Sequence, residues 1–286
     1  MESQIVNIGV KEWKINHNYD WINALESGKV IHFSNLPFNI SQTEKKLLSP
    51  LILKKNCRNV SLSTTNQLKG AECDAYLLDA LTNLMKRFRQ NATTLITSLA
   101  PNYKLETSPT SFRPIQVEDR KQSYRGNDKL LHIDAFTTRP NHGKRILRVF
   151  ININPNNIPR VWRIGEPFEN VANNFLHKVK PYSSWQASFL HKIKITKSLR
   201  SEYDHIMLQL HDIMKFDSNY QSNAEQIIIP FYSGSVWVCF SDQTSHSVLS
   251  GQFMMEQTYN LPLSSLYNPD SSPFAILSNI IGKKLL

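Results

Sequence analysis

Four short apolar segments follow one another closely in the last third of this chain, and their spacing constrains the fold more than any other feature. Gln226-Ile-Ile-Ile229, Ser235-Val-Trp-Val-Cys-Phe240, Ser245-His-Ser-Val-Leu249 and Phe253 to Leu261 are strand-length runs rich in β-branched and aromatic residues. Turns built on Ser233-Gly234, Asp242-Gln243 and Ser250-Gly251 separate them. Upstream, Arg145 to Asn154 and Arg160 to Ile164 read as two further strands. Many short strands with tight turns close on themselves or face each other as two sheets. The expected class is α+β with a mainly β core: a double-stranded β-helix of the jelly-roll or cupin kind, with flanking helices.

Lys29 to Phe33 reads as a short strand, and Thr43 to Leu48 as a short helix with Ser41 as its N-cap. A longer helix is predicted from about Ala71 to Asn91, where Leu77, Leu78, Leu81, Leu84, Met85 and Phe88 make one stripe and Lys86, Arg87 and Arg89 end it. Leu199, Tyr203, Ile206, Leu210 and Ile213 predict another from Ser198 to Phe216, and Glu166 to Val179 a shorter one. Pro101 to Asp128 has little periodicity and much Ser, Thr, Pro and charge, so it reads as a long functional loop. The organisation expected is one catalytic domain over residues 1–286. A mixed α/β part (1–100) packs on a β-helix core (101–286) that carries a helical insert at about 166–216.

The excess of 33 Lys+Arg over 23 Asp+Glu gives a formal charge of +10, which attracts anions without saying which. No apolar run is long enough to span a bilayer, and no basic stretch leads into an apolar one near Met1, so neither a transmembrane segment nor a secretory signal is expected. Cys57, Cys73 and Cys239 lack metal-ligand spacing and suit a reducing cytoplasm.

Leu131-His132-Ile133-Asp134 lies between the long loop and a strand. In extended chain, residues i and i+2 point the same way, so His132 and Asp134 can bind one metal together. A third ligand must come from a distant strand. His177, His191, His205 and His211 fall on helices or a basic connector and look solvent-facing, and His142 sits in a turn. His246 opens a short strand after the buried-looking Val236 to Phe240, and a jelly roll brings such a late strand to an early one. Two histidines and a carboxylate leave metal positions open for a cosubstrate and dioxygen, the pattern of non-haem iron(II) oxygenases, although zinc shares these ligands. The cosubstrate's far carboxylate needs a cation, ideally Arg. Many oxygenases of this class place it on the last strand, but there this chain has Met255, Glu256 and Gln257. Others, including the JmjC-type hydroxylases, use the strand after the HxD pair. Arg148, fourteen positions past Asp134, fits, with Asn152 on the same strand face.

Leu131-His-Ile-Asp-Ala-Phe136, Arg139-Pro140, Gly143, Arg145 to Pro155, Trp162-Arg-Ile-Gly-Glu-Pro-Phe168, Thr244-Ser-His246, Gly251-Gln252 and Glu256-Gln-Thr258 together closely resemble the Kdo hydroxylase family. Kdo is 3-deoxy-D-manno-oct-2-ulosonic acid, the acidic sugar attached to lipid A in Gram-negative lipopolysaccharide. The resemblance runs from about Gly28 onward and is most specific between Leu131 and Phe168. It implies a dioxygenase that uses Fe(II), 2-oxoglutarate and dioxygen to hydroxylate C3 of the outer Kdo of Kdo2-lipid A, giving Ko. On that resemblance His132, Asp134 and His246 hold the iron.

The charge distribution agrees with an acidic substrate. Arg113, Arg120, Lys121, Arg125, Lys129, Arg139, Lys144, Arg145, Arg148, Arg160 and Arg163 are opposed nearby only by Glu118, Asp119, Asp128 and Asp134. Arg113, Arg125 and Arg163 are the substrate-binding candidates, while Trp162 reads as core. A lipid-borne substrate implies a cytoplasmic protein in peripheral contact with the inner-membrane surface. Pro273 to Leu286 suits either a packing helix, the stronger reading, or an interfacial one. Rival readings are a JmjC-like protein hydroxylase and a non-enzymatic jelly roll that binds acidic sugars. Nucleic acid is disfavoured because few aromatics interleave with the basic residues.

Overall fold

The apolar runs become eleven strands in a computed structural model that describes residues 3–119 and 123–286. They are β1 (Ile5–Ile8), β2 (Val30–Phe33), β3 (Val60–Leu62), β4 (Leu68–Lys69), β5 (Glu106–Arg113), β6 (Arg145–Asn152), β7 (Arg160–Gly165), β8 (Gln226–Phe231), β9 (Val236–Phe240), β10 (His246–Ser250) and β11 (Met254–Leu261). A large sheet has the order β1-β2-β9-β6-β11-β5-β3-β4, and β10-β7-β8 form a smaller one. Phe150 of the large sheet meets Trp162 of the small one edge to face, with ring centroids 4.9 Å apart, and Phe231 and Trp237 stack at 4.2 Å. Aromatic side chains from both sheets thus fill the space between them, as in a double-stranded β-helix. β1 and β2 extend the large sheet beyond β9, while β3 and β4 extend its other edge, so the N-terminal part lengthens the core sheet.

The helices are α1 (Tyr19–Glu26), α2 (Gln42–Lys45), α3 (Ala75–Leu99), α4 (Phe168–Phe175), α5 (Ser184–Lys192), α6 (Glu202–Phe216), α7 (Ser218–Asn223) and α8 (Pro273–Ile281). Ser41 caps α2 through a reciprocal capping box with Glu44. Asp74 caps α3, whose Leu81, Leu84, Met85, Phe88, Ala92, Leu95, Ile96 and Leu99 bury one stripe. That stripe joins Leu147, Val149 and Ile151 of β6 in the principal core, on the outer face of the large sheet. With helix on one side and the small sheet on the other, β6 is buried on both faces. Each such fully buried Leu or Phe contributes about 1.5–3 kcal/mol.

The helix expected to end near Asn91 runs on to Leu99 and starts at Ala75. Its apolar spacing continues, and Arg89 does not cap it: the guanidinium bonds the Leu62 and Ser63 carbonyls and Thr110. α6 starts at Glu202 behind a Ser201 cap, which leaves Leu199 outside it and exposed. The expected loop from 101 to 128 contains β5, held between β11 and β3. Its buried face is largely polar, with Phe112 its one core residue and Thr110 donating to Gln257 Oε1 at 2.6 Å. The β11–β5 register shifts beside Pro109, where a strand lacks an N–H to donate. α4 to α7 lie between β7 and β8. α8 docks by Leu277, and Leu285 follows into the same core as α4 and α6. Among the described residues no helix is long and apolar enough to cross a membrane.

Candidate metal centre

Leu131 to Asp134 runs extended beside β10. Leu131 and Ile133 are buried in the core under α4 and α6, so the alternating His132 and Asp134 face the other way, into a cavity between the sheets. The His132 N–H donates to the His246 carbonyl at 3.0 Å, and the His246 N–H donates back at 2.9 Å. This reciprocal bridge sets the two imidazoles side by side, with ring centroids 4.7 Å apart. Asp134 is pinned by its own N–H, which donates to the Ser241 carbonyl at 2.7 Å.

Each imidazole has a fixed tautomer. His132 Nδ1 lies 2.8 Å from the Leu130 carbonyl, and His246 Nδ1 lies 2.8 Å from the Thr244 carbonyl. A carbonyl can only accept, so both Nδ1 atoms carry the proton and both Nε2 lone pairs are free to ligate. Burial pushes the His132 pKa well below its ordinary value, with His246 and Lys215 adding to the effect, and burial lowers His246 as well. Burial alone would raise Asp134, but the Arg148 guanidinium outweighs it and holds the carboxyl below its usual range. Two neutral imidazoles and one carboxylate are therefore presented together, with ligand atoms within 4.8 Å of one another. That donor set fits a divalent first-row metal with coordination positions to spare.

The surrounding cavity, about 220 Å³, is smaller than the ~300–1,000 Å³ of pockets that enclose a drug-sized ligand, so it suits a small cosubstrate and the reacting end of a larger molecule. Phe150, Trp162, Val248 and Met254 make its apolar wall. Trp162 stacks on His246 with centroids 5.2 Å apart. Arg113, Arg148, Arg160 and Lys215 bring four positive charges against the three carboxylates of Asp128, Asp134 and Glu256. Buried Arg113 Nε, Arg148 Nε and Trp162 Nε1 have no hydrogen-bond acceptor among the described residues. Clustered buried donors of this kind fit an occupant rich in acceptor oxygens. Arg113, Arg148, His211 and Glu256 also line a larger outer cleft of about 960 Å³, bounded by residues 135–142, so the chamber opens into a second space.

The sequence candidates separate on this geometry. His132, Asp134 and His246 converge. Arg148 lines the chamber, paired with Asp134 at 2.8 Å and Glu256 at 2.9 Å. Arg113 lines chamber and cleft and pairs with Glu256 at 2.8 Å. Arg125 lines only the outer cleft, paired with Asp212 at 3.0 Å and with its side chain 71% exposed. Asn152 is a correction. It lines neither space, and its amide is spent on the Ile158 and Phe231 carbonyls and the Asn154 N–H. Arg163 is another. It faces away from the chamber, bonding Ser247 Oγ at 2.9 Å and the Lys129 and Gln221 carbonyls. Trp162 points inward, so the neighbouring Arg163 must point out, and Arg160, two residues back, must point in. That alternation was available in the sequence and identifies Arg160 as a chamber residue. Of the basic cluster, Lys144 pairs with Glu106 and Arg145 with Asp242, so distant carboxylates answer charges that looked unopposed. Arg120 and Lys121 lie outside the described residues.

His211 and Lys215 were not readable as site residues. His211, expected to face solvent, lies edge to face with His132 at 5.5 Å. Lys215 is buried, donates to the Arg125 carbonyl at 2.8 Å, and is lowered in pKa by that burial. Both sit on the chamber-facing side of α6, one turn apart, and only the fold says where that side looks.

Residues 10–284 match the family model described as 3-deoxy-D-manno-oct-2-ulosonic acid (Kdo) hydroxylase. Among solved structures, the chain is similar to the Kdo hydroxylase KdoO, a non-heme Fe(II) α-ketoglutarate-dependent dioxygenase, in complex with α-ketoglutarate and Fe(III). The two share 39% identity over 99% of this chain and 97% of that one, with a TM-score of 0.93. The cobalt(II) complex of KdoO gives the same identity and coverage at a TM-score of 0.94, and its complex with succinate and Fe(III) gives 0.93. No match was found among curated proteins.

Proposed function

This chain belongs to the Kdo hydroxylase family, and we propose that it hydroxylates C3 of the outer Kdo of Kdo2-lipid A, giving Ko. It is an Fe(II)- and 2-oxoglutarate-dependent dioxygenase. The observation that carries the reading is the pair of backbone-bridged imidazoles, with both Nε2 atoms free beside Asp134 in an arginine-lined chamber. His132, Asp134 and His246 would hold the iron. With 2-oxoglutarate and dioxygen, the metal supplies the oxidant that turns a C–H into a C–OH, one oxygen atom entering the product and the other the succinate formed as carbon dioxide leaves.

The protein's own part is to bind, orient and exclude. Arg160 and Trp162 share the inward face of β7, with their Cα atoms one strand repeat, about 6.6 Å, apart, and the Trp162 ring stacks on His246. Arg148, Arg160 and the indole N–H of Trp162 would be the donors offered to the far carboxylate of 2-oxoglutarate. A divalent metal and a dianionic cosubstrate cancel, leaving the chamber its single excess positive charge. That charge suits the carboxylate of one acidic sugar, with Arg113 and His211 where the chamber meets the cleft, Lys215 inside the chamber and Arg125 in the cleft beyond. Such a substrate would be met at the cytoplasmic face of the inner membrane.

The test is incubation with Kdo2-lipid A, Fe(II), ascorbate and 2-oxoglutarate in air, followed by mass spectrometry of the lipid. One added oxygen on the outer Kdo, dependent on 2-oxoglutarate and absent in His132→Ala, is expected. Succinate without lipid oxidation would move the chemistry to another substrate, such as a protein side chain.

A further inference from the structure

The helical insert carries a surface that the hydroxylation site does not use. On α5, Trp185 is 76% and Phe189 48% exposed, and their rings stack with centroids 5.8 Å apart. Ile193, Ile195 and Leu199 follow, also exposed, on the segment that leads to α6. Exposed apolar side chains this close together are unusual on a surface meant for water alone. Lysines are interleaved with them at 192, 194 and 197, and no Asp or Glu occurs between Leu176 and Ser201. Aromatic side chains that take up the headgroup level, flanked by unopposed lysines, are what an anionic bilayer surface recognises.

The surface is tied to the cleft. The Lys197 N–H donates to the Thr138 carbonyl at 2.9 Å, and Arg200 donates to the Thr137 carbonyl at 2.7 Å. Thr137 and Thr138 belong to the wall of the outer cleft, beside Phe136, which is itself exposed. Contact with a bilayer through α5 would therefore bring the mouth of the cleft to the headgroups. A second copy of the chain is a poorer occupant, because pairing this face with itself would set lysine against lysine.

We infer that Ser184–Leu199 is a membrane-docking surface that seats Trp185 and Phe189 among anionic phospholipid headgroups and presents the cleft to a lipid-borne sugar. The inference rests on the lipid-borne substrate proposed above and assigns the contact to α5 rather than to α8. Its test is sedimentation of the full-length, iron-loaded chain with vesicles of equal parts phosphatidylglycerol and phosphatidylcholine, against vesicles of phosphatidylcholine alone. The expected result is binding to the anionic vesicles that weakens with salt and falls about tenfold or more in Trp185→Ser/Phe189→Ser and in Lys192→Glu/Lys194→Glu/Lys197→Glu. Circular dichroism checks that both variants are folded. Both should keep wild-type turnover of a water-soluble, de-acylated Kdo oligosaccharide while losing turnover of Kdo2-lipid A in vesicles. Vesicle binding without turnover of either substrate would overturn the hydroxylase reading and leave the docking surface standing. The inference is overturned if the wild-type chain stays in the supernatant, or if the variants sediment as the wild type does. It is equally overturned if light scattering finds a dimer that dissociates on Trp185→Ser/Phe189→Ser and no vesicle binding.

Discussion

Arg145 and Arg148 stand three residues apart on β6, the first fully buried and the second largely so, both paired with carboxylates, yet they belong to different parts of the molecule. Arg145 Nε lies 2.7 Å from Asp242 Oδ2, its Nη2 lies 2.5 Å from Gln243 Oε1, and its guanidinium sits 4.0 Å over the Phe240 ring. Neither Arg145 nor Asp242 is exposed at all. Arg148 bonds Asp134 and Glu256, but those carboxylates also face the chamber, where Asp134 meets two histidines and Glu256 meets Arg113. The closed cluster joins β6 to the turn after β9. The open one leaves capacity for ligands. Burial, ion pairing and a single unanswered donor such as Arg145 Nη1 therefore do not mark a functional charge; an adjoining space that several such donors line does.

Breaking the closed pair should have the largest effect on folding. Arg145→Ala leaves Asp242 uncompensated in the core, and the loss of stability, read from urea denaturation, should be about 3–5 kcal/mol. Cobalt(II) should not restore it. The matched variant Arg148→Ala should cost less, about 1–3 kcal/mol, because Asp134 and Glu256 keep other partners. Cobalt(II) should recover part of that loss, since a cation at Asp134 replaces the missing one, while turnover falls about a hundredfold or more. Equal losses in the two variants, with equal indifference to metal, would erase the distinction. The closed cluster should also tolerate removal as a unit: Arg145→Met with Asp242→Leu should lie within about 2 kcal/mol of wild type.

The smallest expected difference is in pH dependence. Burial lowers the pKa of His132 and His246 in the folded chain, so on acidification below about pH 6.5 the unfolded chain takes up protons first. Stability is therefore present above that value and declines below it, as protons bind the unfolded imidazoles before the buried ones. His246→Gln should flatten that decline. A variant confined to the closed cluster should leave its slope alone, and a slope unchanged in His246→Gln would remove the imidazoles from the account.

What the sequence disclosed follows the same division. Ligand placement rests on local rules: strand alternation put His132 and Asp134 on one face, and the order of the late strands selected His246. Helix α2 and the strands from β6 to β11 were legible because their periodicity is their own. β5 was not, because only Phe112 of its inward side is apolar and the rest is Ser108 and Thr110 beside Gln257, which reads as loop. His211 and Lys215 were missed because a helix face shows that it is buried but not against what. Arg163 was misassigned for want of the alternation rule already applied to His132. Asn152 was placed on the correct strand face, but that face had already left the chamber and turned to satisfy the backbone of the β6–β7 connection.

The reciprocal bridge between His132 and His246 also bears on how the protein comes into being. Its two ends are separated by 114 positions, and all of α4 to α7 lies between them. A chain emerging from the ribosome displays His132 and Asp134 long before their partner exists. A two-ligand fragment holds a first-row metal loosely, so capture waits until the strand bearing His246 is made and laid beside the older one. The same registration of two distant strands that completes the sandwich would then bring in the third ligand of the proposed iron site, so a growing chain would not hold metal firmly before it is folded.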